Sequence, residues 1–345
     1  MSELRWHPFL EEWVITATHR QERTFFPPTD YCPLCPTKPG GFPTEVPGET
    51  YDIVVFENKF PSLQKEPPDP SVIGTDLTPV TPALGRCEVV LYSPEHDGSL
   101  ATMPLARIGN LIRVWKDRYQ ELGAKDFIKY VLIFENKGEA VGVTMHHPHG
   151  QIYGFPFIPP KLKKELATSN QYYLQNKQCL FCKTLSEEFA DGRRIVLEGK
   201  RFVAYIPFFA RYPYEVYLAP KEHLASMADF TPEDQDDLAI VLKGLLLKYD
   251  TLFGISFPYI MVIHQAPTDG RDYPDYHFHF EFYPPLRSAE KLKFLAGCEA
   301  GAGSYINDTL AEEKASELRG VGPKTILEVI EWDRQTETER SRKIG

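Results

Sequence analysis

Apolar positions along this chain follow two periods. Short runs rich in β-branched and aromatic residues, at 52–57, 87–92, 129–135, 202–206, 214–219, 259–264 and 277–283, predict strands. Stretches with apolar residues three and four apart predict helices over 104–122, 162–175, 232–253, 286–296 and 308–319. The 232–253 segment has the clearest start: Thr231 is a ready N-cap, Pro232 suits the first turn, and acidic residues gather there. Its stripe of Leu238, Val241, Leu242 and Leu245 reads as core packing. The charged tail from Glu331 to Gly345 is expected to fray. Interspersed strands and helices give an α+β fold class.

The pattern occurs twice. Cys32-x-x-Cys35 is followed by a strand ending Glu88-Val89-Val90-Leu91-Tyr92 and, eight residues after the glutamate, His96. Cys179-x-x-Cys182 is followed by Glu215-Val216-Tyr217-Leu218-Ala219 and, eight residues after that glutamate, His223. Each series then reaches a His-x-His, His147-x-His149 and His277-x-His279. Two copies are too few for a solenoid and predict two homologous halves, 1–165 and 166–345.

Composition narrows the class. At 345 residues, 42% hydrophobic and 25% charged, the chain has the make-up of a globular protein with a sizeable core. A formal net charge of −10 speaks against general nucleic-acid binding. The start, Met1 to Trp6, shows no signal-peptide core, and no apolar run reaches membrane-spanning length. The expectation is a cytoplasmic protein, where paired cysteines more often hold metal than form disulfides. Zinc takes four Cys and His ligands. The first candidate set is Cys32, Cys35, His96 and His147; the second is Cys179, Cys182, His223 and His277. A competing second set, Glu165, His264, His277 and His279, suits iron or zinc. His96 and His223 also admit a plain reading as loop histidines.

The densest chemistry is His146-His147-Pro148-His149-Gly150-Gln151, past a predicted buried strand and a Gly-containing turn. Residues two apart in extended chain share a face, so a metal on His147 also steadies His149. A fixed neutral imidazole can attack phosphorus and carry a covalent phosphoryl-type group; Gln151 can donate its amide to a phosphate oxygen. The alternative makes all three histidines metal ligands, and the residues alone leave both open. Arg20 and Arg23 have forks suited to phosphate, although a solvated pair is the default for two such arginines. Asn58 and Asn136 sit in Glu-Asn-Lys loops that can bind a base, ribose or phosphate, or cap turns. The Gly-rich segment 297–307 can bring backbone amides near an anion, but no Gly-Lys-Ser/Thr follows and it is not a P-loop.

Taken together, Tyr31-Cys32-Pro33-Leu34-Cys35-Pro36, Ser93-Pro94-Glu95-His96, Glu135-Asn136-Lys137-Gly138, His147-Pro148-His149-Gly150-Gln151 and Val262-Ile263-His264-Gln265-Ala266-Pro267 resemble the galactose-1-phosphate uridylyltransferase family of the histidine-triad superfamily. So does His277-x-His279 running into Phe282-Tyr283-Pro284-Pro285. The resemblance spans nearly the whole chain. It implies duplicated histidine-triad half-barrels, mostly antiparallel sheet with flanking helices. It implies that His149 takes a uridylyl group from UDP-glucose, releases glucose 1-phosphate and passes the group to galactose 1-phosphate. It further implies structural zinc on Cys32, Cys35, His96 and His147, and nucleotide and phosphate contacts from Arg20, Arg23, Asn58, Asn136, Thr144 and Gln151. Lys293 and Glu299 would lie near the hexose, in a site shared across a homodimer.

Three features depart from the family pattern: the second Cys pair, the hexose segment and Lys59. The Cys179/Cys182 pair is absent from part of the family and favours a second four-ligand zinc. Cys298 stands where many members have tyrosine, and Lys59 where familiar members have aspartate. The ending Tyr305-Ile306-Asn307 looks more like the nucleoside-diphosphate-sugar phosphorylase branch, which uses ADP-glucose and phosphate. A phosphorylase would prefer ADP-glucose to UDP-glucose; a non-catalytic zinc and nucleotide-binding protein would show no rate that depends on His149.

Overall fold

Residues 2–22 and 31–344 are described by a computed structural model of the chain. In chain order come β1 (Ser2–His7), β2 (Glu12–Ala17), β3 (Val54–Glu57), β4 (Val80–Pro82), β5 (Arg86–Leu91), α1 (Leu105–Gly123), β6 (Tyr130–Lys137) and β7 (His149–Phe155). Two helices follow, α2 (Pro160–Asn176) and α3 (Leu180–Asp191), then β8 (Ile195–Glu198), β9 (Phe202–Tyr205), β10 (Val216–Pro220), α4 (Pro232–Phe253), β11 (Tyr259–His264) and β12 (His279–Tyr283). The chain closes with β13 (Leu286–Ser288), β14 (Lys291–Leu292), α5 (Gly297–Ala302), α6 (Ala311–Gly320) and α7 (Ile326–Ile344).

The duplication is written into the sheet. Nine antiparallel strands lie in the order β3-β5-β7-β6-β11-β12-β10-β9-β8. The first four repeat, in the same internal order, as β9-β10-β12-β11, and the halves join where β6 pairs with β11. β1, β2 and β4 form a separate three-stranded sheet. Both halves share one core: Ile108, Leu111, Ile112 and Trp115 of α1 and Leu238, Val241, Leu242 and Leu245 of α4 cluster with Val131, Ile133 and Ile152 of one half and Phe280 and Phe282 of the other. Thr231 and Asp234 cap α4 reciprocally. Among the described residues no helix is long and apolar enough to cross a membrane.

Three segments take forms that their sequence pattern did not specify. Residues 286–296 are not helical: Leu286 pairs with Leu292 in the β13–β14 hairpin, and Lys293 N–H donates to Pro285 O at 2.5 Å, a bond that closes the hairpin rather than a helical turn. The tail from Glu331 to Ile344 is helical and continues α7, held near its start where Asp333 pairs with buried Lys243 and accepts from Leu105 N–H at 3.1 Å. The Gly-rich segment forms the short helix α5 around a carboxylate of its own: Glu299 accepts from the Ala296 and Ile306 amides at 2.7 and 3.2 Å. In addition, β7 and α3 are elements that the periodicity did not predict.

Candidate functional site

His149 opens β7, whose alternate residues point to opposite faces: Gly150, Ile152 and Gly154 are buried, and His149, Gln151 and Tyr153 are half-buried on the other face. Gly150 is obligatory, since a Cβ there would lie 2.0 Å from the Tyr92 hydroxyl and 3.2 Å from Phe134 O. His149 Nδ1 lies 2.7 Å from the carbonyl of His147. With that carbonyl accepting the Nδ1 proton, the tautomer is fixed and the Nε2 lone pair is the ring's basic position. Around it is a cavity of about 160 Å³ lined by Asn136 of β6, by Gly138 just after it and by Ser256 from the α4–β11 loop.

One other sequence candidate, Asn58, joins this strand face through Gln151. Asn58 Nδ2 lies 3.5 Å from Gln151 Oε1, which leaves the Gln151 amide nitrogen to donate elsewhere. Arg20 reaches the same loop, donating to Phe60 O at 2.9 Å. Thr144 Oγ1 is buried without a hydrogen-bond partner, an orphan that an incoming ligand oxygen can satisfy. Arg23 lies outside the described residues. Lys293 and Glu299 stand elsewhere, below the β13–β14 hairpin, in a buried pair at 2.6 Å. The Lys293 ammonium and the two backbone amides hold the Glu299 carboxyl down at about 2. Lys59 pairs with Glu45 at 3.0 Å.

Two Cys-His groups are assembled as the spacing suggests. Cys32, Cys35, His96 and His147 offer one ligand atom each, all within 4.8 Å of one another, and Cys179, Cys182, His223 and His277 do the same. In both, the histidines turn Nδ1 towards a thiol, His96 and His147 at 3.5 and 3.6 Å from Cys35 Sγ, His223 and His277 at 3.5 and 3.3 Å from Cys182 Sγ. His147 Nε2 lies 2.8 Å from Ser93 O and His277 Nε2 3.0 Å from Pro220 O, the carbonyl partners that orient metal-binding imidazoles. Burial holds His147 down to about 4 and lowers His277 as well, so both rings stay neutral, the form that ligates. The donor sets fit tetrahedral zinc.

The competing set is corrected. His277 belongs to the thiol group, and Glu165, His264 and His279 form a third cluster beside it rather than an alternative to it. Glu281 borders this cluster, with Oε1 3.6 Å from His264 Nδ1 and 3.4 Å from His279 Nε2. Sequence reasoning passed over Glu281, although it shares a strand face with His279, two residues earlier.

Residues 1–159 match the N-terminal domain of galactose-1-phosphate uridyl transferase, and residues 165–332 match its C-terminal domain. The chain belongs to the galactose-1-phosphate uridyl transferase family. A relative called galactose-1-phosphate uridylyltransferase, from Thermotoga maritima, is 41% identical over 320 residues, covering 92% of this chain and 98% of its own. The solved structure of a uridylyltransferase superposes with a TM-score of 0.82 at 34% identity, covering 92% of this chain and 97% of its own. An ADP-glucose phosphorylase from Arabidopsis thaliana, solved with ADP-glucose, superposes less well, at 0.69 and 26% identity, covering 93% of this chain and 99% of its own.

Proposed function

We propose that this chain moves a uridylyl group from UDP-glucose to galactose 1-phosphate in two displacements through a covalent group on His149. The observation that carries the reading is the 2.7 Å contact from His149 Nδ1 to the His147 carbonyl, which makes Nε2 the unprotonated, nucleophilic nitrogen. Nε2 attacks the α-phosphorus; the phosphorus–nitrogen bond forms as the bond to the glucose 1-phosphate oxygen breaks, and that oxygen leaves with the electron pair. A phosphate oxygen of galactose 1-phosphate then attacks the same phosphorus and displaces Nε2. Gln151 and Thr144 donate to the non-bridging oxygens, where charge builds. Asn58, Asn136, Arg20 and Arg23 hold the nucleotide and its phosphates.

The two Cys-His groups would hold zinc, and with it Cys32, Cys35, His96 and His147, and Cys179, Cys182, His223 and His277, would tie the loops that carry the histidines to the thiol segments. Glu165, His264, His279 and Glu281 offer a harder nitrogen and oxygen set suited to iron or zinc. The functional halves are residues 1–165 and 166–345. The protein works in the cytoplasm as a homodimer, in which a second copy brings Lys293 and Glu299 to the hexose.

The reading is tested by exchange of labelled glucose 1-phosphate into UDP-glucose with galactose 1-phosphate left out. Wild type is expected to exchange, His149→Ala to fall to background with its fold intact, and ADP-glucose to be a poor substitute. Exchange that survives in His149→Ala, or a preference for ADP-glucose, contradicts it.

A further inference from the structure

The second half repeats the reactive face of the first and places a large cavity on it. In the first half Gln151, Val89 and Phe56 lie side by side across three strands. In the second, Glu281, Tyr217 and Tyr205 do so. His279 then falls where His149 falls, and its Nδ1 likewise lies against the carbonyl two residues back, at 3.0 Å. In front of this face opens a cavity of about 900 Å³.

Its chemistry differs from that of the first half in a way that separates binding from reaction. A carboxylate, Glu281, stands where the first half has the carboxamide of Gln151, and it lies 3.4 Å from His279 Nε2. Phe181 and Tyr217 stack on the His279 ring, with centroids at 4.7 and 5.3 Å. Engaged with Glu281 in the proposed metal cluster and covered by these rings, that nitrogen is not open to a phosphorus centre. The cavity is otherwise suited to a flat ring with an anionic arm. Its walls are Phe181, Tyr205, Phe209 and Tyr217, and Phe209 is 55% exposed. Lys161 and Arg211 offset the charge of Glu281. Lys164 lines the cavity, is exposed, and has no ion-pair partner among the described residues.

We propose that this cavity is a second, non-reacting site for a nucleoside monophosphate, with the base against Phe181 and Phe209 and the phosphate at Lys164. The inference rests on the reading that the first half binds a nucleotide. Aromatic stacking accepts any base, so the site is expected to be tolerant of base identity.

The test is calorimetric titration of the full-length, metal-loaded protein with UMP, and then with AMP. Wild type is expected to bind two UMP per chain, and AMP at the second site. The double variant Phe209→Ala/Lys164→Glu is expected to weaken one of the two about tenfold or more and to leave glucose 1-phosphate exchange unchanged, which also shows that it folds. Asn58→Ala/Gln151→Ala is expected to lose the other UMP together with exchange. A single UMP that is lost only in Asn58→Ala/Gln151→Ala overturns the second site and leaves the proposed function standing. A single UMP that is lost only in Phe209→Ala/Lys164→Glu supports the second site and overturns the first-half reading. No UMP bound by wild type overturns both.

Discussion

Glu135 shows how tightly the ground beneath His149 is fitted. It is buried; one carboxylate oxygen accepts from the Tyr259 hydroxyl at 3.1 Å, and the other has no hydrogen-bond partner. Burial pushes its carboxyl up from 4.5 to about 7, against the opposing pull of Lys137 and the Tyr259 and Tyr92 hydroxyls. Between those two values the folded chain holds a proton that the unfolded chain has released, so stability falls as pH rises through the window. Relative to Glu135→Gln, wild type is therefore expected to lose up to about 3 kcal/mol between pH 5 and pH 8, read from urea unfolding. Parallel pH profiles for the two proteins would contradict this. Nothing in the sequence marked Glu135 beyond its Glu-Asn-Lys motif, because its burial depends on Tyr259 of β11 and Tyr92 just after β5.

The two Cys-x-x-Cys loops were legible as metal-binding candidates because their order relative to the histidines repeats, and pattern repetition survives whatever the local structure does. Strand β7 was not legible, although it carries His149. Gly150 and Gly154 occupy its buried positions where an apolar side chain would have signalled alternation, and Tyr92 and Ile128 fill the space they leave. Helix α3 escaped for another reason: it starts directly at the cysteine loop, with Cys179 at the N-cap position, so ligand spacing masked its periodicity. Its place is coupled to the second thiol group. Cys179→Ser is accordingly expected to release about one metal per chain and lower Tm by several degrees, while exchange at His149 persists. Metal analysis, thermal melting and the exchange assay check this; an intact metal complement, or loss of exchange in a folded protein, would show that the second group is misassigned.

The halves are not independent bodies. Strands β6 and β11 pair across the seam, α1 packs on α4, and Ser256 of the second half lines the cavity around His149. Buried Lys248 donates to Leu318 O and Val321 O at 3.2 and 3.0 Å, and Lys243 holds Asp333, so the C-terminal helices are fastened to the same core. Urea unfolding is expected to be a single transition, superimposable by tryptophan fluorescence and circular dichroism; two resolved steps would mean that the seam is weaker than its packing implies. The duplication could be read from sequence, but not that three ligand clusters coexist: His277 fits either second-half set by spacing, and only the fold assigns it to the thiols. The account as a whole depends on His149 carrying the transferred group. Incubation with UDP-glucose alone, quenching and tandem mass spectrometry is expected to find one uridylyl group on the His149 ring, removed when galactose 1-phosphate is added. A protein that turns over both substrates yet stays unmodified, or is modified at another residue, would contradict it.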